Sequence, residues 1–318
     1  MPRVIVIIVT FNATRWIRRC LECLHASTIA VETLIVDNAS TDQTLDILAR
    51  EFPGVRLLKQ DRNLGFGQAN NVGMRYAHEA GADYVFLLNQ DAYLYPGTIS
   101  GLIEAQARQP EYGILSPLQL NGRGTALDAK FSRKVAKHHG EAYTASLVSA
   151  GATASRTLEV RFVNAAAWLI SRECLDKTGL FHPLFYHYGE DNNYCSRAQY
   201  LGFKTGVYTG ARVLHDRDAP RQGSGSTLKK ITQVPLYTLL DIRKSETVAR
   251  IAACWKMTGY LVSGVTKFSP DIIRAVGAER RLLKNKRAEI KAARREMKSP
   301  YRWQRTPLAE NDPSHGPI

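Results

Sequence analysis

Residues 84–96, YVFLLNQDAYLYP, decide the fold. The largely apolar run 84–88 is followed at once by Asn89, Gln90 and Asp91. A short uninterrupted apolar run predicts a strand that is buried on both faces, as in a parallel sheet. Because ligands of open α/β sheets bind at the carboxyl ends of the strands, Asp91 is the first candidate for chemistry. The alternative is that the aspartate and the following proline only shape a turn.

Working outward, similar apolar runs alternate with amphipathic segments. Strands are predicted at 4–9, 33–36, 55–59, 84–88 and 113–118. Helices are predicted at 14–25, 44–51 and 96–108, with another that ends near residue 79. This alternation predicts the α/β class, with a mainly parallel sheet and right-handed crossovers.

The second half of the chain is less regular. Residues 120–159 are rich in Gly, Ser, Thr, Lys and His, which predicts a long mobile surface loop. Strands at 160–171, 203–208 and 211–215 and a helix at 190–201 follow. Helical stretches are then predicted at 236–245, 247–265 and 271–298. We therefore expect one domain over 1–220 and a basic, amphipathic helical region over 221–318.

The chain carries a net charge of +14, and the charge is uneven. Residues 274–305 hold twelve Lys or Arg against three Asp or Glu. Such a segment suits anionic lipid, a phosphate-bearing substrate or nucleic acid, and a merely solvated helix face would look the same. No apolar run reaches membrane-span length, and the run 4–9 is too short for a secretory leader. With only five cysteines, a reducing cytosolic location is expected.

Two residues at predicted strand ends suit a divalent cation. Asp91 is a hard oxygen ligand, and Mg²⁺ or Mn²⁺ on one or two carboxylates is the usual way to hold a diphosphate. His215 ends another predicted strand, and imidazole with carboxylate suits Mn²⁺ at least as well as Mg²⁺. A histidine at a strand end is also commonly structural.

Two further motifs suit a nucleotide. Asp37 could accept a hydrogen bond from the imide N–H of uracil or thymine, with Asn38 and Ser40 nearby; an Asx-turn that caps the next helix is the alternative. Gly65 and Gly67 allow close approach of a phosphate at a helix N-terminus. These glycines follow the third strand instead of the first, so a dinucleotide-binding fingerprint is not indicated.

Asp191 opens a predicted helix and lies on the same helix face as Tyr194 and Ala198. It is either a partner of the helix dipole or a general base that points into a cleft. The helix N-terminus is expected to lower its pKa, which a late proton transfer would tolerate.

Six motifs in order now carry a family resemblance: VIIVTFN at 6–12, VDNASTD at 36–42, NLGFGQAN at 63–70, LNQD at 88–91, GED at 189–191, and His215. Over residues 3–220 the chain resembles the family 2 inverting glycosyltransferases, which have the GT-A fold. Within that family it is similar to bacterial rhamnosyltransferase-like enzymes. The resemblance implies a Rossmann-like, mixed but mainly parallel sheet flanked by helices, here with a C-terminal helical extension.

The resemblance also implies roles for individual residues. Asp191 would be the catalytic base, and Asp91 with His215 would hold Mg²⁺ or Mn²⁺. The donor would be bound by Thr10, Asn12, Asp37, Asn38, Ser40, Asn63, Gly67, Asn70, Asn89 and Gln90. The acceptor would be bound near Trp168, Tyr188, Glu190 and Asn193.

Two positions depart from the family pattern. The metal motif reads Asn89-Gln90-Asp91, with one carboxylate where the family commonly has two, which predicts a weak metal site. The second acid often found two residues after the base is Asn193 here.

The resemblance implies transfer of a sugar, such as rhamnose, from a UDP or dTDP donor to a saccharide or lipid-linked acceptor during bacterial surface polysaccharide synthesis. The protein would work in the cytoplasm, at the inner face of the plasma membrane, with residues 271–305 against anionic lipid. Nucleic acid is not an expected partner. The alternatives are a nucleotidyltransferase, or a non-catalytic protein that binds nucleotide sugars or nucleic acid.

Overall fold

The computed structural model describes residues 1–147, 155–186, 188–217 and 224–303. The strands in these ranges are β1 (Val4–Thr10), β2 (Glu32–Asp37), β3 (Arg56–Lys59), β4 (Tyr84–Asn89), β5 (Ala92–Leu94), β6 (Tyr112–Asn121), β7 (Thr157–Glu159), β8 (Ala167–Ser171) and β9 (Lys204–His215). The helices are α1 (Ile17–His25), α2 (Thr44–Glu51), α3 (Phe66–Glu79), α4 (Thr98–Arg108), α5 (Ala129–His139), α6 (Glu141–Ser146), α7 (Arg172–Thr178), α8 (Glu190–Tyr200), α9 (Ser224–Leu239), α10 (Glu246–Thr266), α11 (Pro270–Asn285) and α12 (Arg287–Glu296).

The strands form one sheet in the order β3-β2-β1-β4-β8-β6-β9-β5, with β7 beside β9. β1 pairs in parallel with β2 and with β4, and the register sets Thr10 beside Asp37 and Val9 beside Asn89. The ends of these strands therefore lie together at one edge of the sheet. The predicted buried parallel strands are confirmed.

The other half of the sheet is mixed. β8 runs antiparallel to β4 and β6, while β6 and β9 are parallel. The short strand β5 turns back against β9 and sets Ala92 beside His215. This reversal brings the end of β9 to the edge where β1, β2 and β4 end.

Both faces of the sheet are covered, as the β-branched run of β1 requires. Ile5 and Ile7 face one hydrophobic core, which includes residues of α3, α7 and α8. Val6 and Ile8 face a second core, which includes residues of α1, α2 and α4. The mixed α/β fold with flanking helices is confirmed.

The predicted surface loop at 120–159 is wrong for the part that the structure describes. It contains the end of β6, helices α5 and α6, and β7. Asp128 caps α5 by accepting hydrogen bonds from the backbone N–H groups of Lys130 and Phe131. Phe131 and Val135, four residues apart, are fully buried in the core beneath α5. Residues 148–154 lie outside the described ranges.

The C-terminal helices were predicted with shifted bounds. α9 ends at Leu239, where a helix was expected to continue to 245, and the stretch expected as one helix over 271–298 divides near Lys286 into α11 and α12. Phe185, Leu240 and Met297 share a small core, so these helices pack directly on the sheet-bearing part. The expected domain boundary near 220 falls within 218–223, outside the described ranges, and stays a prediction.

No helix in the ranges that the structure describes combines the length and the apolar character needed to cross a bilayer.

Gly73 lets α3 lie against β1. A Cβ at this position would come within 2.5 Å of Ile7 Cγ2, and Ile7 is fully buried. We expect Gly73→Ala to destabilise the protein by about 1–3 kcal/mol in urea unfolding, because the core has no room to adjust. Gly277, inside α11, has no neighbouring atom within 4 Å of such a Cβ and is the matched control. Gly277→Ala should stabilise by about 0.5–1 kcal/mol through helix propensity. Equal stability of the two variants would contradict this packing.

Candidate active site

Asp37 is fixed at the end of β2 by three hydrogen bonds. One carboxylate oxygen accepts from Thr10 Oγ1 at 2.8 Å and from Ser40 Oγ at 2.6 Å, and the other accepts from Ser40 N at 2.9 Å. The residue is 1% exposed. Asp37 does not cap the next helix, because α2 begins at Thr44 and the N–H of Thr44 donates to Asp42; the three bonds instead orient the Asp37 carboxylate at the sheet edge. Recognition of a nucleobase stays a prediction.

Most of the other expected donor-binding residues also hold loops in place. Asn38 accepts a hydrogen bond from Leu64 N at 2.7 Å and donates one to Asn63 Oδ1 at 2.8 Å. Asn12 accepts from Thr41 N at 2.9 Å. Gln90 bonds both backbone groups of Phe11, at 2.8 and 3.3 Å. These contacts connect the loops after β1, β2, β3 and β4 into one rim.

The glycine loop lies against the segment that precedes α8. Gly65 has φ of +78°, and a Cβ there would be 2.1 Å from the carbonyl oxygen of Tyr186. A Cβ on Gly67 would be 3.4 Å from Glu190 Cγ. Asn70 is buried and donates to Phe66 O at 2.9 Å. The structure thus brings the start of α3 and the start of α8 together.

Asp91 and His215 meet as predicted. His215 Nε2 lies 3.4 Å from Asp91 Oδ1, and both side chains are largely buried. Burial favours the neutral carboxyl, but the hydrogen bond with His215 and the other favourable electrostatic contacts, including that of Arg217, lower the pKa of Asp91. An ionised carboxylate is what a cation needs.

The surroundings of this pair fit a divalent cation. Asn89 Nδ2 lies 3.5 Å from His215 Nε2, and Asn89 Oδ1 is buried with no hydrogen-bond partner among the described residues. Asp91, His215 and Asn89 can therefore supply three metal ligands. Phosphate oxygens and water would supply the remaining ligands of the cation. No group of three or more His, Cys, Asp or Glu suited to a metal occurs in the ranges described. That a metal would bind weakly here stays a prediction.

Arg217 is a neighbour that sequence reasoning missed. Its Nη2 lies 2.8 Å from His215 Nδ1, and its Nε lies 3.0 Å from Asp128 Oδ2. A guanidinium can only donate, so Nδ1 accepts and the ring proton sits on Nε2, facing Asp91. Coordination through Nε2 would move that proton to Nδ1 and displace Arg217. No motif around His215 signals this contact.

Glu190, which is buried, and Asp191, which is partly exposed, form the start of α8. Burial, together with the Asp191 charge, raises the pKa of Glu190 to about 8, and Glu190 Oε2 has no hydrogen-bond partner among described residues. Burial also raises the pKa of Asp191, opposed by the bond from Asn192 N at 2.8 Å and by the Lys134 charge. The expected lowering by the helix N-terminus is therefore wrong, because desolvation is the larger effect. Asp191 is therefore a stronger base than expected.

Of the other expected acceptor residues, only Tyr188 is exposed. Trp168 is fully buried and packs against Phe181 and Tyr194, so it belongs to the core. Asn193 is 1% exposed and donates to Leu240 O at 3.4 Å, so it ties α8 to the C-terminal helices. Neither side chain offers a surface to an acceptor in this structure.

Glu190 should make stability depend on pH. Its pKa is about 8 when folded and 4.5 in the ordinary case, so its contribution is complete below pH 4.5 and is lost as the pH rises through 8. The Tm of Glu190→Gln relative to wild type should rise by roughly 5–15 °C between pH 5 and pH 8, since each unit of pKa difference is about 1.4 kcal/mol and about 1 kcal/mol moves the Tm of a large domain by roughly 2–4 °C. Glu104→Gln, at an exposed position, is the control and should follow wild type. If the Tm difference between Glu190→Gln and wild type did not change with pH, the raised pKa of Glu190 would be contradicted.

Comparison with known proteins agrees with this geometry. The family model "Glycosyl transferase family 2" matches residues 5–179, more than half of the chain. N-acetylglucosaminyl-diphospho-decaprenol L-rhamnosyltransferase of Mycobacterium tuberculosis is 29% identical over 242 residues, which are 67% of this chain and 75% of that protein.

Solved structures share the fold at low sequence identity. S. aureus TarS 1-349 in complex with UDP-GlcNAc has a TM-score of 0.58 at 16% identity, covering 96% of this chain and 95% of that one. The mannosyltransferase PcManGT from Pyrobaculum calidifontis, in complex with GDP-Man and Mn²⁺, has a TM-score of 0.55 at 17% identity, covering 92% and 85%. With its GT-A-type sheet and the match over residues 5–179, this chain is a member of glycosyltransferase family 2.

Proposed function

We propose that this glycosyltransferase moves a sugar from a UDP or dTDP donor to a saccharide or lipid-linked acceptor, with inversion, in bacterial surface polysaccharide synthesis. The observation that carries the proposal is the shared rim. Asp37 and the Asp91–His215 pair lie at one sheet edge, and the glycine loop joins that edge to the start of α8. The similarity to a rhamnosyltransferase supports rhamnose as the sugar.

The acidic residues of the site would have different roles in the reaction. Asp191 would take the proton of the acceptor hydroxyl as the hydroxyl oxygen attacks the anomeric carbon. Attack from the face opposite the leaving diphosphate inverts the configuration in one displacement. Asp91, His215 and Asn89 would hold Mg²⁺ or Mn²⁺, which when bound neutralises charge on the leaving group. Asp37 would orient the base.

The membrane contact is better placed on α10 than on 271–305 alone. Among its exposed side chains is a stripe with helical spacing: Val248, Ile251, Trp255, Val262 and Val265. Phe268, which is 92% exposed, follows directly, and the basic helices α11 and α12 come next. An apolar stripe beside Lys and Arg is typical of a helix that lies in the surface of an anionic bilayer. We propose that this surface holds the enzyme at the membrane.

Asp191→Asn tests the catalytic role. We expect diphosphate release from nucleotide sugars, screened with and without Mn²⁺, to fall by about 10²–10⁴ in kcat because the general base is lost. Binding of UDP or dTDP, measured by thermal shift, should persist in this variant. Asp46→Asn removes another first-turn acid, in α2, and controls for helix-dipole effects. Unchanged turnover in Asp191→Asn would refute the assignment, and wild type that binds nucleotide sugars without turnover would indicate a binding protein.

Trp255→Ser/Phe268→Ser tests the membrane contact. We expect the variant to lose most co-sedimentation with phosphatidylglycerol vesicles, since both exposed rings would leave the interface. Tyr95→Ser/Tyr200→Ser removes two exposed rings elsewhere and should bind like wild type. Equal binding by the two double variants would argue against this surface.

A further inference from the structure

A cavity of about 460 Å³ lies among α5, α8, α9 and α10, beside the catalytic base. Asn192 and Ser196 line one wall, and Asn192 directly follows Asp191. Lys134 also lines the cavity and interacts electrostatically with Asp191. The cavity therefore adjoins the point where an acceptor hydroxyl would meet the base.

The walls are strongly basic. Six Lys and Arg residues line the cavity: Lys134, Lys137, Arg161, Arg243, Lys244 and Lys256. The only carboxylate among the lining residues described, Asp241, pairs with Arg243 at 2.8 Å and with Lys244 at 3.6 Å.

The other four cations in this lining have no carboxylate within ion-pair distance in the part of the chain described. Burial lowers the pKa of Lys134 and of Lys256, which shows that their ammonium groups are partly desolvated. Lys256 is half-buried and the other five cations are exposed at the cavity mouth; like charges gathered around one cavity repel one another, and an anion among them would relieve that repulsion.

Uncharged hydrogen-bond donors also line the cavity. Ser196 is 2% exposed, and its hydroxyl has no hydrogen-bond partner among described residues. A buried hydroxyl without a partner is costly, and a ligand oxygen at this wall would satisfy it. Lys256 donates to Thr238 Oγ1 at 2.8 Å, which holds its ammonium group at the cavity wall. Cations and hydroxyl donors together suit phosphate oxygens.

We propose that this basic cavity binds the phosphate or diphosphate group of the acceptor, and so presents the acceptor sugar to Asp191. This role rests on the proposed transferase function, and it requires the acceptor to be a phosphorylated sugar. The donor diphosphate has its own place at the Asp91–His215 pair. The acceptor phosphate could belong to a soluble sugar phosphate or to a lipid-linked sugar diphosphate. Lys256 lies on α10, the helix with the exposed Trp255, so a lipid chain would have a short route to the proposed membrane surface.

The first test is calorimetric titration of the full chain with inorganic pyrophosphate in EDTA, so that no metal site contributes. Wild type should bind, and Lys134→Met/Lys256→Met should bind at least tenfold more weakly. Lys267→Met/Lys298→Met removes the same charge at exposed positions and should bind like wild type. Equal weakening in both double variants, or no binding by wild type, would overturn the proposal. Circular dichroism and nucleotide thermal shift verify that each variant is folded.

The second test separates the two sources of the anion. Geranyl diphosphate and N-acetylglucosamine 1-phosphate compete with pyrophosphate for wild type. Tighter competition by the prenyl compound supports a lipid-linked acceptor, and equal or tighter competition by the sugar phosphate supports a soluble one. Competition by neither would contradict the cavity's assignment to an acceptor.

The two hypotheses fail separately. Turnover of nucleotide sugars without pyrophosphate binding would leave the transferase intact and reject the cavity. Pyrophosphate binding without any nucleotide-sugar binding would reject the transferase assignment, and with it the acceptor role of the cavity.

Discussion

The site depends on the pairing of β1 with two parallel neighbours. This register aligns the ends of β1, β2 and β4, so Thr10 lies beside Asp37, and Asn89 lies beside Val9, one residue earlier on β1. Both faces of β1 are buried, and a slip of one residue would turn every side chain to the wrong face. Hydrophobic burial therefore fixes the positions of polar groups that contribute little to the core themselves.

The remaining groups reach this edge by less regular routes. His215 arrives because β5 reverses direction after Asp91 and pairs with β9. Glu190 and Asp191 arrive because the chain before α8 lies against the glycine loop. Desolvation of Glu190 and Asp191 lowers the stability of the folded protein, and it also raises the pKa values of both carboxyl groups, which makes them stronger bases.

A local sequence pattern predicts each of three features: the strands of the first half, the sheet edge and the Asp91–His215 pair. Helix α5 was not predicted, because its polar composition hides two buried residues, Phe131 and Val135, whose partners are distant in sequence. The raised pKa of Asp191 and the burial of Trp168 also depend on neighbours from other elements. Helix periodicity could have suggested the 131/135 spacing, but nothing local identifies Lys134 or Arg217 as neighbours of the site.

The close fit of Gly65 beneath the Tyr186 carbonyl has a kinetic consequence. The glycine loop belongs to the proposed donor site, the segment with Tyr186 precedes the proposed base, and the two are in direct contact. Any shift of the glycine loop when a nucleotide enters must be passed to the start of α8. Such mechanical linkage favours compulsory-order binding, in which the nucleotide sugar enters first and the acceptor second.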